Sequence, residues 1–377
     1  MSARPLTVLH LAANRWWTGS ADPTIQLARA LEARGHHVML GVTPGDRFEL
    51  KAREAGLVLV DGLRLRARLA PLELAADVAR LRAVVQARGV DVIHTHHSHD
   101  HWLALLAARL VTGWRPPVVR TFHNLRAVKS GLVARTLYRR TAAAFAVSRQ
   151  IEARCRLAGV AGGRVHWTPG VADLPRFGVA GDAGAIREEF KLGEAPVVVS
   201  VARLAPNRGH ELLLAGFREL LADTPTARLL LVGKGETRER LEALVVELGL
   251  AQHVVFTGYR DRDLPSVLAA ADCFALMAAG SDDSCRAALE AMAAGRPVVA
   301  RRVGALPETV AHGETGLLLE DDTPAGVAAA LRAILTDPAR GRAMGAAGRR
   351  RAETEFSAER SVQTVEDAYR EILEAGS

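Results

Sequence analysis

Residues 197–233 read VVVSVARLAPNRGHELLLAGFRELLADTPTARLLLVG, and this segment gives the clearest indication of the fold class. It opens with an apolar run of β-type residues, continues with apolar residues at helical spacing, and closes with a second apolar strand run. The connections between these runs are short. A strand, a helix and a strand joined in this way predict parallel strands with helices covering both faces of the sheet.

The same alternation continues to Leu335, and an earlier one runs from Thr7 to Gly170. Between them, residues 171–196 are rich in Gly, Ala, Asp and Pro and are typical of a linker around a short helix. The pattern therefore predicts an α/β protein with two doubly wound sheets in series, whose ligands bind beyond the carboxyl ends of the strands in a cleft between domains. We expect domains at 1–172 and 173–355, and a final helix over 356–377 that packs back on the first domain.

Length and composition narrow the class of protein. The chain has 377 residues, of which 49% are apolar and 24% charged, and this excludes disordered and fibrous proteins. Its three cysteines are far apart, which argues against a disulfide framework and a structural zinc site. The N-terminus lacks a signal-peptide pattern, and no run reaches the roughly 18 apolar residues of a membrane span. We expect a cytoplasmic protein, with peripheral binding to the inner face of the cytoplasmic membrane as a second expectation.

The charge is divided unequally between the two halves. Residues 1–172 hold 25 Lys and Arg against 11 Asp and Glu, whereas residues 173–377 hold 24 against 31. No carboxylate occurs between Asp100 and Glu152, an interval with nine basic residues. Such a field favours anionic partners. Nucleic acid is not expected, because no stacking aromatics or recognition motif accompany the basic residues, so an anionic membrane surface or acceptor fits better.

The second half resembles a known family. The segments VARLAPNRGHELLLAGF, LLLVGKGETRERLE, VVFTGYRDRDLPSVLAAADCFAL, GSDDSCRAALEAMAAGRPVVARRVGALPETV and GETGLLLE are similar, in this order, to the retaining glycosyltransferases of family 4. The first half resembles that family more loosely, through its opening strand and glycine loop, HTHHSHDHW and the strand ending in TFH. The resemblance implies the GT-B fold, a nucleotide diphosphate sugar as co-substrate, retention of configuration and no obligatory cofactor.

Departure of a nucleoside diphosphate develops negative charge, which fixed cations must stabilise. Arg203 and Arg208 follow the first strand of the second sheet, where a ligand would lie, and guanidinium groups bind phosphate oxygens with two hydrogen bonds. The family usually has Lys at the position of Arg208. The resemblance also places Gly233, Tyr259 and Arg260 in the donor site.

The family has two glutamates separated by seven residues, and this chain has Asp282 and Glu290. The resemblance implies that Glu290 binds the ribose hydroxyls and that Asp282, which is one methylene shorter than the usual residue, contacts the donor sugar. The start of the intervening helix, at Ser284, Cys285 and Arg286, offers backbone N–H groups to phosphate. Arg286 is also a possible partner of Asp282, and the sequence leaves this choice open.

In the first domain, Gly19 and Ser20 occupy a loop where the family often has two glycines close to the donor phosphate. Asn14 and Arg15, in the same loop, are weaker candidates. His123 ends a strand at the position where the family places a histidine near the reacting sugar, so we expect a catalytic role for it together with Arg203, Arg208 and Asp282. Further candidates on the acceptor side are His96, His99 and Arg126.

Five histidines and Asp100 fall between His94 and His101, which raises the possibility of a metal-dependent hydrolase. The spacing does not support it, because His97-Ser98-His99-Asp100-His101 is one residue short of the His-x-His-x-Asp-His pattern. No metal is therefore expected.

The sequence predicts a glycosyltransferase that moves a sugar, most simply from a UDP-sugar, to a hydroxyl of a saccharide or lipid-linked acceptor in cell-envelope polysaccharide or lipopolysaccharide synthesis. Three alternatives remain open. They are a GT-B nucleotide-sugar epimerase, the metal-dependent hydrolase, and a nucleotide-binding module without catalysis.

Overall fold

The computed structural model describes residues 4–13, 21–65, 70–179, 181–279 and 284–376. These residues form two compact units. The described part of the first unit lies within 4–169 and 358–376, and that of the second lies within 170–279 and 284–357.

The described residues of the first unit form a seven-stranded parallel sheet in the order β3-β2-β1-β4-β5-β6-β7. Its strands are β1 (Thr7–Ala12), β2 (His37–Val42), β3 (Val58–Leu59), β4 (Val92–Thr95), β5 (Val118–Phe122), β6 (Ala143–Ala146) and β7 (Val165–Trp167). The helices are α1 (Ala21–Ala33), α2 (Arg47–Glu54), α3 (Pro71–Arg88), α4 (Ser98–Leu110), α5 (Leu132–Arg139) and α6 (Arg149–Leu157).

The described part of the second unit contains a six-stranded parallel sheet in the order β10-β9-β8-β11-β12-β13. Its strands are β8 (Val197–Val201), β9 (Arg228–Val232), β10 (Val254–Gly258), β11 (Cys273–Leu276), β12 (Val298–Ala300) and β13 (Gly316–Leu318). The helices are α7 (Leu174–Phe177), α8 (Ala183–Glu189), α9 (His210–Leu220), α10 (Arg238–Glu247), α11 (Leu264–Ala269), α12 (Arg286–Ala293), α13 (Leu306–Thr309), α14 (Pro324–Leu335) and α15 (Pro338–Glu355).

The prediction of two doubly wound parallel sheets is confirmed. The central strands are buried on both sides, as continuous apolar runs require in a parallel sheet. Val197, Val198 and Val199 of β8, for example, have no exposed surface. Apolar side chains on the two faces of each sheet form the cores with the helices that pack there.

The last helix, α16 (Ala358–Glu374), belongs to the first unit. It packs along α1, where Arg34 pairs with Glu366 at 2.6 Å and with Glu359 at 2.5 Å. Its Tyr369 is completely buried, and its hydroxyl lies 2.5 Å from Nδ1 of His94 on β4. One polar contact inside the core and one ion-pair cluster at its edge therefore fasten the C-terminus to the first sheet.

Three helices were not predicted from the sequence pattern. They are α2, the 18-residue α15, and one of α7 and α8, because residues 171–196 were expected to hold a single short helix. In α15 the buried face consists mostly of small residues, among them Gly341, Gly345 and Gly348, and Met344 is its one large apolar side chain, so the helical period is poorly marked. A Cβ atom at Gly345 would lie 2.1 Å from the carbonyl oxygen of Gly295, which shows how closely the two backbones approach. Among the described helices, none combines the length and apolar character needed to cross a bilayer.

Candidate functional site

Both sheets have a point where the strand order reverses. In the first unit it lies between β1 and β4, and in the second it lies between β8 and β11. Loops on either side of such a point diverge to opposite faces of the sheet and leave a crevice at the carboxyl ends of the strands, where ligands of this fold class bind. The residues after β8, β9 and β11, and those near the ends of β1, β4 and β5, are therefore the ones to consider.

Backbone contacts join the loops that follow β8 and β9. The amide of Leu204 donates to the carbonyl oxygen of Lys234 at 3.1 Å. A Cβ atom at Gly233 would lie 2.0 Å from the carbonyl oxygen of Ala202, and one at Gly235 would lie 2.0 Å from that of Leu204. Only glycine fits at both positions, so Gly233 acts by permitting this approach, which brings the side chains of the two loops together.

A cluster of opposite charges results from this approach. Arg203, after β8, donates from Nη2 to Oε2 of Glu236, after β9, at 2.9 Å. The pKa of the Glu236 carboxyl is lowered by a hydrogen bond from its own backbone N–H, by the Arg203 hydrogen bond, and by the charges of Arg203 and Arg208. The two arginines predicted from the sequence thus lie near one carboxylate. Both side chains of the Arg203–Glu236 pair are more than half exposed, so the pair itself contributes little stability.

The next strand along the sheet adds an aromatic ring and a third cation. Tyr259 follows β10 and is 60% exposed. Nζ of Lys234 lies 5.4 Å from the centre of its ring. The order of the strands thus sets Tyr259, Lys234 and Arg203 side by side along the carboxyl edge of the sheet.

On the other side of β8, helix α12 begins at a constrained position. Its N-cap, Cys285, has a left-handed backbone with φ of 55° and is buried, as is Ser284 before it. Arg286 is the first residue of the helix, and its Nε lies 3.1 Å from Oε1 of Glu290, one turn further along. The side chain of Glu290 is 9% exposed. The structure therefore gives the buried Glu290 a cationic partner from its own helix, a pairing that sequence reasoning overlooked.

Two more glycines hold these loops in place. Gly209 precedes α9 with φ of 73°, and a Cβ atom there would lie 2.4 Å from Cβ of Met277 at the end of β11. Gly304, after β12, has φ of 57° and would place a Cβ atom 2.5 Å from Cβ of Ala279. The loops after β8, β11 and β12 are thus packed against one another, and Arg208 is positioned by one of them.

The remaining donor-site candidates lie elsewhere or cannot be placed. Both Nη atoms of Arg260 contact Glu189 of α8 at 2.7 Å, and Nη2 also contacts Asp263, so this guanidinium joins α8 to the loop after β10. Arg260 is thus paired with two carboxylates, and its donor-binding role stays a prediction. Asp282, Gly19, Ser20, Asn14 and Arg15 lie outside the described residues.

In the first unit the structure connects two of the predicted histidines. Nδ1 of His96, after β4, lies 3.1 Å from Nε2 of His123, after β5. Nε2 of His96 lies 3.1 Å from Nδ1 of His10 on β1. Burial lowers the pKa of His10 and His123 to about 3, and it lowers that of His96 well below its ordinary value, so the three imidazoles are neutral at pH 7.

The other histidines of the 94–101 segment diverge. His99, on the outer side of α4, packs edge-on against Trp102, whereas Nε2 of His101 lies 2.9 Å from Oγ1 of Thr141. Burial lowers the pKa of His101 to about 3, and the neighbouring buried Arg120 adds to the effect. Arg126 is exposed on a 3₁₀ turn at Leu125–Ala127. Of the acceptor-side candidates, only His96 and His123 are therefore in contact with each other.

Nitrogen atoms of His10, His94 and His96 lie within 4.8 Å of one another, a distance that a metal ion could bridge. The geometry does not fit one. The rings of His94 and His96 are stacked with 7° between their planes, so their lone pairs do not converge on a centre. Both nitrogens of His94 also have partners, in Tyr369 and Thr121. The arrangement thus supports neither a metal centre nor the hydrolase alternative.

Sequence reasoning overlooked Glu236 and His10. Glu236 belongs to Gly233-Lys234-Gly235-Glu236, and glycines directly after an apolar strand are the signal that could have drawn attention to it. His10 carries no such signal, because a single histidine inside an apolar strand gains meaning only from the pairing of β1 with β4, which sets His10 opposite His94.

Comparisons with known proteins agree with this geometry. Residues 183–351 match the family model described as "Glycosyl transferases group 1", and residues 19–176 match "Glycosyltransferase Family 4". A GDP-mannose-dependent alpha-(1-6)-phosphatidylinositol monomannoside mannosyltransferase of Mycolicibacterium smegmatis is 36% identical over 74% of this chain and 69% of its own length. A D-inositol 3-phosphate glycosyltransferase of Corynebacterium jeikeium is 31% identical, over 81% and 78% respectively.

Solved structures share the whole fold. The crystal structure of Anabaena HepE in complex with UDP and glucose matches with a TM-score of 0.80 at 21% identity, covering 97% of this chain and 99% of that one. A glycosyltransferase from Rickettsia africae matches with a TM-score of 0.85 at 16% identity, over 98% and 99% of the two chains. With its two parallel sheets and these relatives, the chain belongs to the family 4 glycosyltransferases and has the GT-B fold.

Proposed function

We propose that this glycosyltransferase moves mannose from GDP-mannose, with retention of configuration, to a hydroxyl of an anionic, lipid-linked acceptor. The observation that carries the proposal is the cluster of Arg203, Arg208 and Glu236 at the carboxyl ends of β8 and β9. The sequence analysis favoured a UDP-sugar. GDP-mannose takes precedence because relatives at 36–38% identity are named for it, whereas the UDP complexes are 20–21% identical and support the fold alone.

In this proposal the diphosphate takes the place of the Glu236 carboxylate beside the arginines. An exposed ion pair is worth at most about 1 kcal/mol, so a dianionic ligand displaces it readily. Arg203 and Arg208 then face the oxygen that gains charge as the glycosidic bond breaks. The ribose hydroxyls donate to the carboxylate of Glu290, which is paired with Arg286, and Tyr259 offers its exposed ring to the base.

The acceptor hydroxyl attacks from the side that the diphosphate leaves. In such a front-side displacement an oxygen of the departing phosphate takes the proton of the acceptor hydroxyl, so no protein nucleophile is required. The demands on the protein are then to hold the acceptor hydroxyl on the face of the sugar from which the diphosphate departs, and to stabilise the leaving group. The charged cluster in the second unit meets the second demand, and His123 is the candidate to orient a hydroxyl.

The acceptor class follows from charge. The relatives' names include phosphatidylinositol monomannoside and inositol 3-phosphate, both of which carry phosphate. Helix α5 lies in the carboxylate-free interval and exposes Leu132 by 84% and Val133 by 77%, and Arg135 and Arg139 are exposed on the same helix. An apolar tip flanked by cations suits the surface of an anionic bilayer, where the side chains enter the headgroup region and the arginines pair with phosphates.

The donor assignment is tested by thermal shift and isothermal calorimetry on the full chain with GDP-mannose and UDP-glucose. GDP-mannose should raise the melting temperature more than UDP-glucose does. Arg203→Ala should weaken its binding by about 10- to 100-fold, since hydrogen bonds to charged groups are worth about 1.5–3 kcal/mol. Arg332→Ala is the matched control. Arg332 is a similarly exposed arginine of α14, paired with Asp223, and its loss should leave the affinity unchanged. Equal affinities of all three proteins would remove the cluster from the donor site.

Transfer is tested by incubating radiolabelled GDP-mannose with phosphatidylinositol vesicles and following label into the lipid fraction. An epimerase would instead alter the donor without an acceptor, and a binding module would leave it intact.

Membrane binding is tested by sedimentation with vesicles that contain phosphatidylinositol. The double variant Leu132→Ser, Val133→Ser should sediment less with these vesicles than the wild type does, and binding should fall as salt rises. Leu72→Ser is the control, because Leu72 is 87% exposed but adjoins the acidic Glu73. Salt-independent or equal sedimentation would contradict the membrane role.

A further inference from the structure

The His10–His96–His123 chain restricts where its protons can be. All three side chains are buried, with 0%, 3% and 5% of their surface exposed. Each ring is neutral and therefore carries one N–H and one bare nitrogen. Two nitrogen-to-nitrogen contacts of 3.1 Å join the rings, from His10 Nδ1 to His96 Nε2 and from His96 Nδ1 to His123 Nε2. Each contact needs an N–H on one side and a lone pair on the other.

Only two arrangements satisfy both contacts. His96 has a single N–H, so it donates to one neighbour and accepts from the other. If it donates to His123, then His10 donates to His96, and all three rings carry the proton on Nδ1. If it donates to His10, then His123 donates to His96, and all three rings carry the proton on Nε2. The tautomer of His123 is thus coupled to that of His10 through His96, although no direct hydrogen bond joins His10 to His123 in this chain.

The end of the chain at His10 distinguishes the two arrangements. Nε2 of His10 is buried and has no hydrogen-bond partner among the residues that the structure describes. The Nε2–H arrangement would leave a buried N–H group there without a hydrogen-bond acceptor. The Nδ1–H arrangement leaves only a lone pair without a donor. Orphaned buried N–H groups are rarer in proteins than under-satisfied acceptors. We propose that the chain is fixed in the Nδ1–H arrangement, in which His10 and His96 are positioning residues for His123.

This arrangement assigns a role to His123. Its Nε2 is occupied as the acceptor of the His96 N–H, and Nδ1–H is the one proton that the neutral ring can donate. His123 is then a hydrogen-bond donor to an oxygen and does not act as a base. This step rests on the proposed function, and it agrees with a displacement in which the leaving phosphate, and no side chain, takes the acceptor proton.

Nitrogen NMR of the full chain tests the tautomers without any substrate. The protein is labelled with ¹⁵N-histidine, and two-bond ¹H–¹⁵N correlations at pH 7.5 distinguish Nδ1–H from Nε2–H rings. Signals are assigned through His10→Asn, His96→Asn and His123→Asn. We expect His10, His96 and His123 all to show the Nδ1–H pattern, the less common form of free histidine. Three Nε2–H rings would overturn the direction of the chain, and a mixture of forms, or a ring bound to metal, would overturn the chain itself.

Activity separates the donor role from a structural one. The amide nitrogen of Asn is as many bonds from Cα as Nδ1 of histidine, and that of Gln is as many bonds away as Nε2. His123→Asn should therefore retain at least about tenfold more kcat than His123→Gln, since a donor aimed at a reacting oxygen has effects of this size or larger. Melting temperatures of the two variants serve as the control for folding. Equal kcat values, or a more active Gln variant, would contradict the donor role. If GDP-mannose transfer fails altogether, the NMR result still decides the tautomers.

Discussion

The two switch points of this molecule have the same topology and opposite chemistry. Where β1 meets β4, the polar groups are neutral imidazoles with almost no exposed surface, joined to one another and stacked. Where β8 meets its neighbours, the polar groups are the exposed Arg203, the half-buried Arg208 and the exposed carboxylate of Glu236. Strand order therefore determines where a site can lie, whereas the side chains that reach that place determine what it can bind.

The difference follows from how each site is solvated. Charged groups are retained at the second switch point because water and counter-charges stabilise them until a ligand arrives. At the first, desolvation removes the charge from the histidines and leaves short-range, directional hydrogen bonds. We expect the first site to govern stability and geometry, and the second to govern the affinity for anions. Three experiments test this contrast.

The largest effect should come from acid. The pKa of His10, His101 and His123 is about 3 in the folded protein against an ordinary value of 6.5. Because the unfolded chain binds protons that the folded one does not, the free energy of unfolding is highest above pH 6.5. It falls by up to about 1.4 kcal/mol per pH unit for each group as the pH drops from 6.5 towards 3. Between pH 7 and pH 5, the first unit should lose on the order of 5 kcal/mol.

The sequence provides a probe for this measurement. All five tryptophans, at positions 16, 17, 102, 114 and 167, lie in the first half of the chain, so urea unfolding followed by tryptophan fluorescence reports the first unit. Far-ultraviolet circular dichroism reports both units and serves as the comparison. A fluorescence midpoint that does not move between pH 7 and pH 5 would contradict the buried neutral chain.

An intermediate effect should follow from Gly233→Ala. A Cβ atom at this position would meet the carbonyl oxygen of Ala202 at 2.0 Å, and φ is 147°. The two loops must separate, at a cost of about 3 kcal/mol, and the contact between Arg203 and Glu236 should be lost with them. Gly249→Ala is the matched control, because Gly249 also has positive φ, 71°, but a Cβ atom there meets nothing within 4 Å. It should cost about 1 kcal/mol.

Denaturant unfolding monitored by circular dichroism measures both losses, and calorimetry with GDP measures binding. Gly233→Ala should bind GDP more weakly than Gly249→Ala does under conditions where both are folded. Equal losses of stability and equal affinities would show that the close approach of the β8 and β9 loops does not shape the site.

The sequence predicted much of this, within limits that individual residues illustrate. Apolar runs such as 197–201 identified the strands, and Arg203 was recognisable because it follows one of them. Helix α15 was overlooked because three of its five buried residues are glycines and Met344 is the one large apolar side chain among them, too few to mark a helical period. The partners of His10 and Glu236 were beyond reach, since each depends on which elements become neighbours in space. The pairing of Arg286 with Glu290, four residues further along one helix, could have been inferred from the sequence and was overlooked. The sequence thus indicates which residue types occur at the end of a strand, but contacts between residues on different elements are known only from the structure.

The smallest effect, and the sharpest test of the contrast, should come from Glu236→Gln. Its exposed pair with Arg203 contributes little, so the free energy of unfolding should be almost unchanged. Binding of GDP should nevertheless tighten, because the carboxylate that competes with phosphate for the guanidinium groups is gone. The competing charges are exposed to water, which weakens their interaction, so the Kd for GDP should fall by no more than roughly fivefold.

Glu242→Gln provides the control for this substitution. Glu242 pairs with Arg238 on α10 at 2.8 Å and is about as exposed as Glu236, but it follows no strand. Its loss should leave the Kd for GDP unchanged. The difference between the two variants should also shrink in 0.5 M salt, where the Debye length falls to about 4 Å. A Glu236→Gln protein that binds GDP no more tightly than the wild type would mean that the carboxylate does not occupy the position of the phosphate, and that the charged cluster of the second unit belongs to the surface rather than to the site.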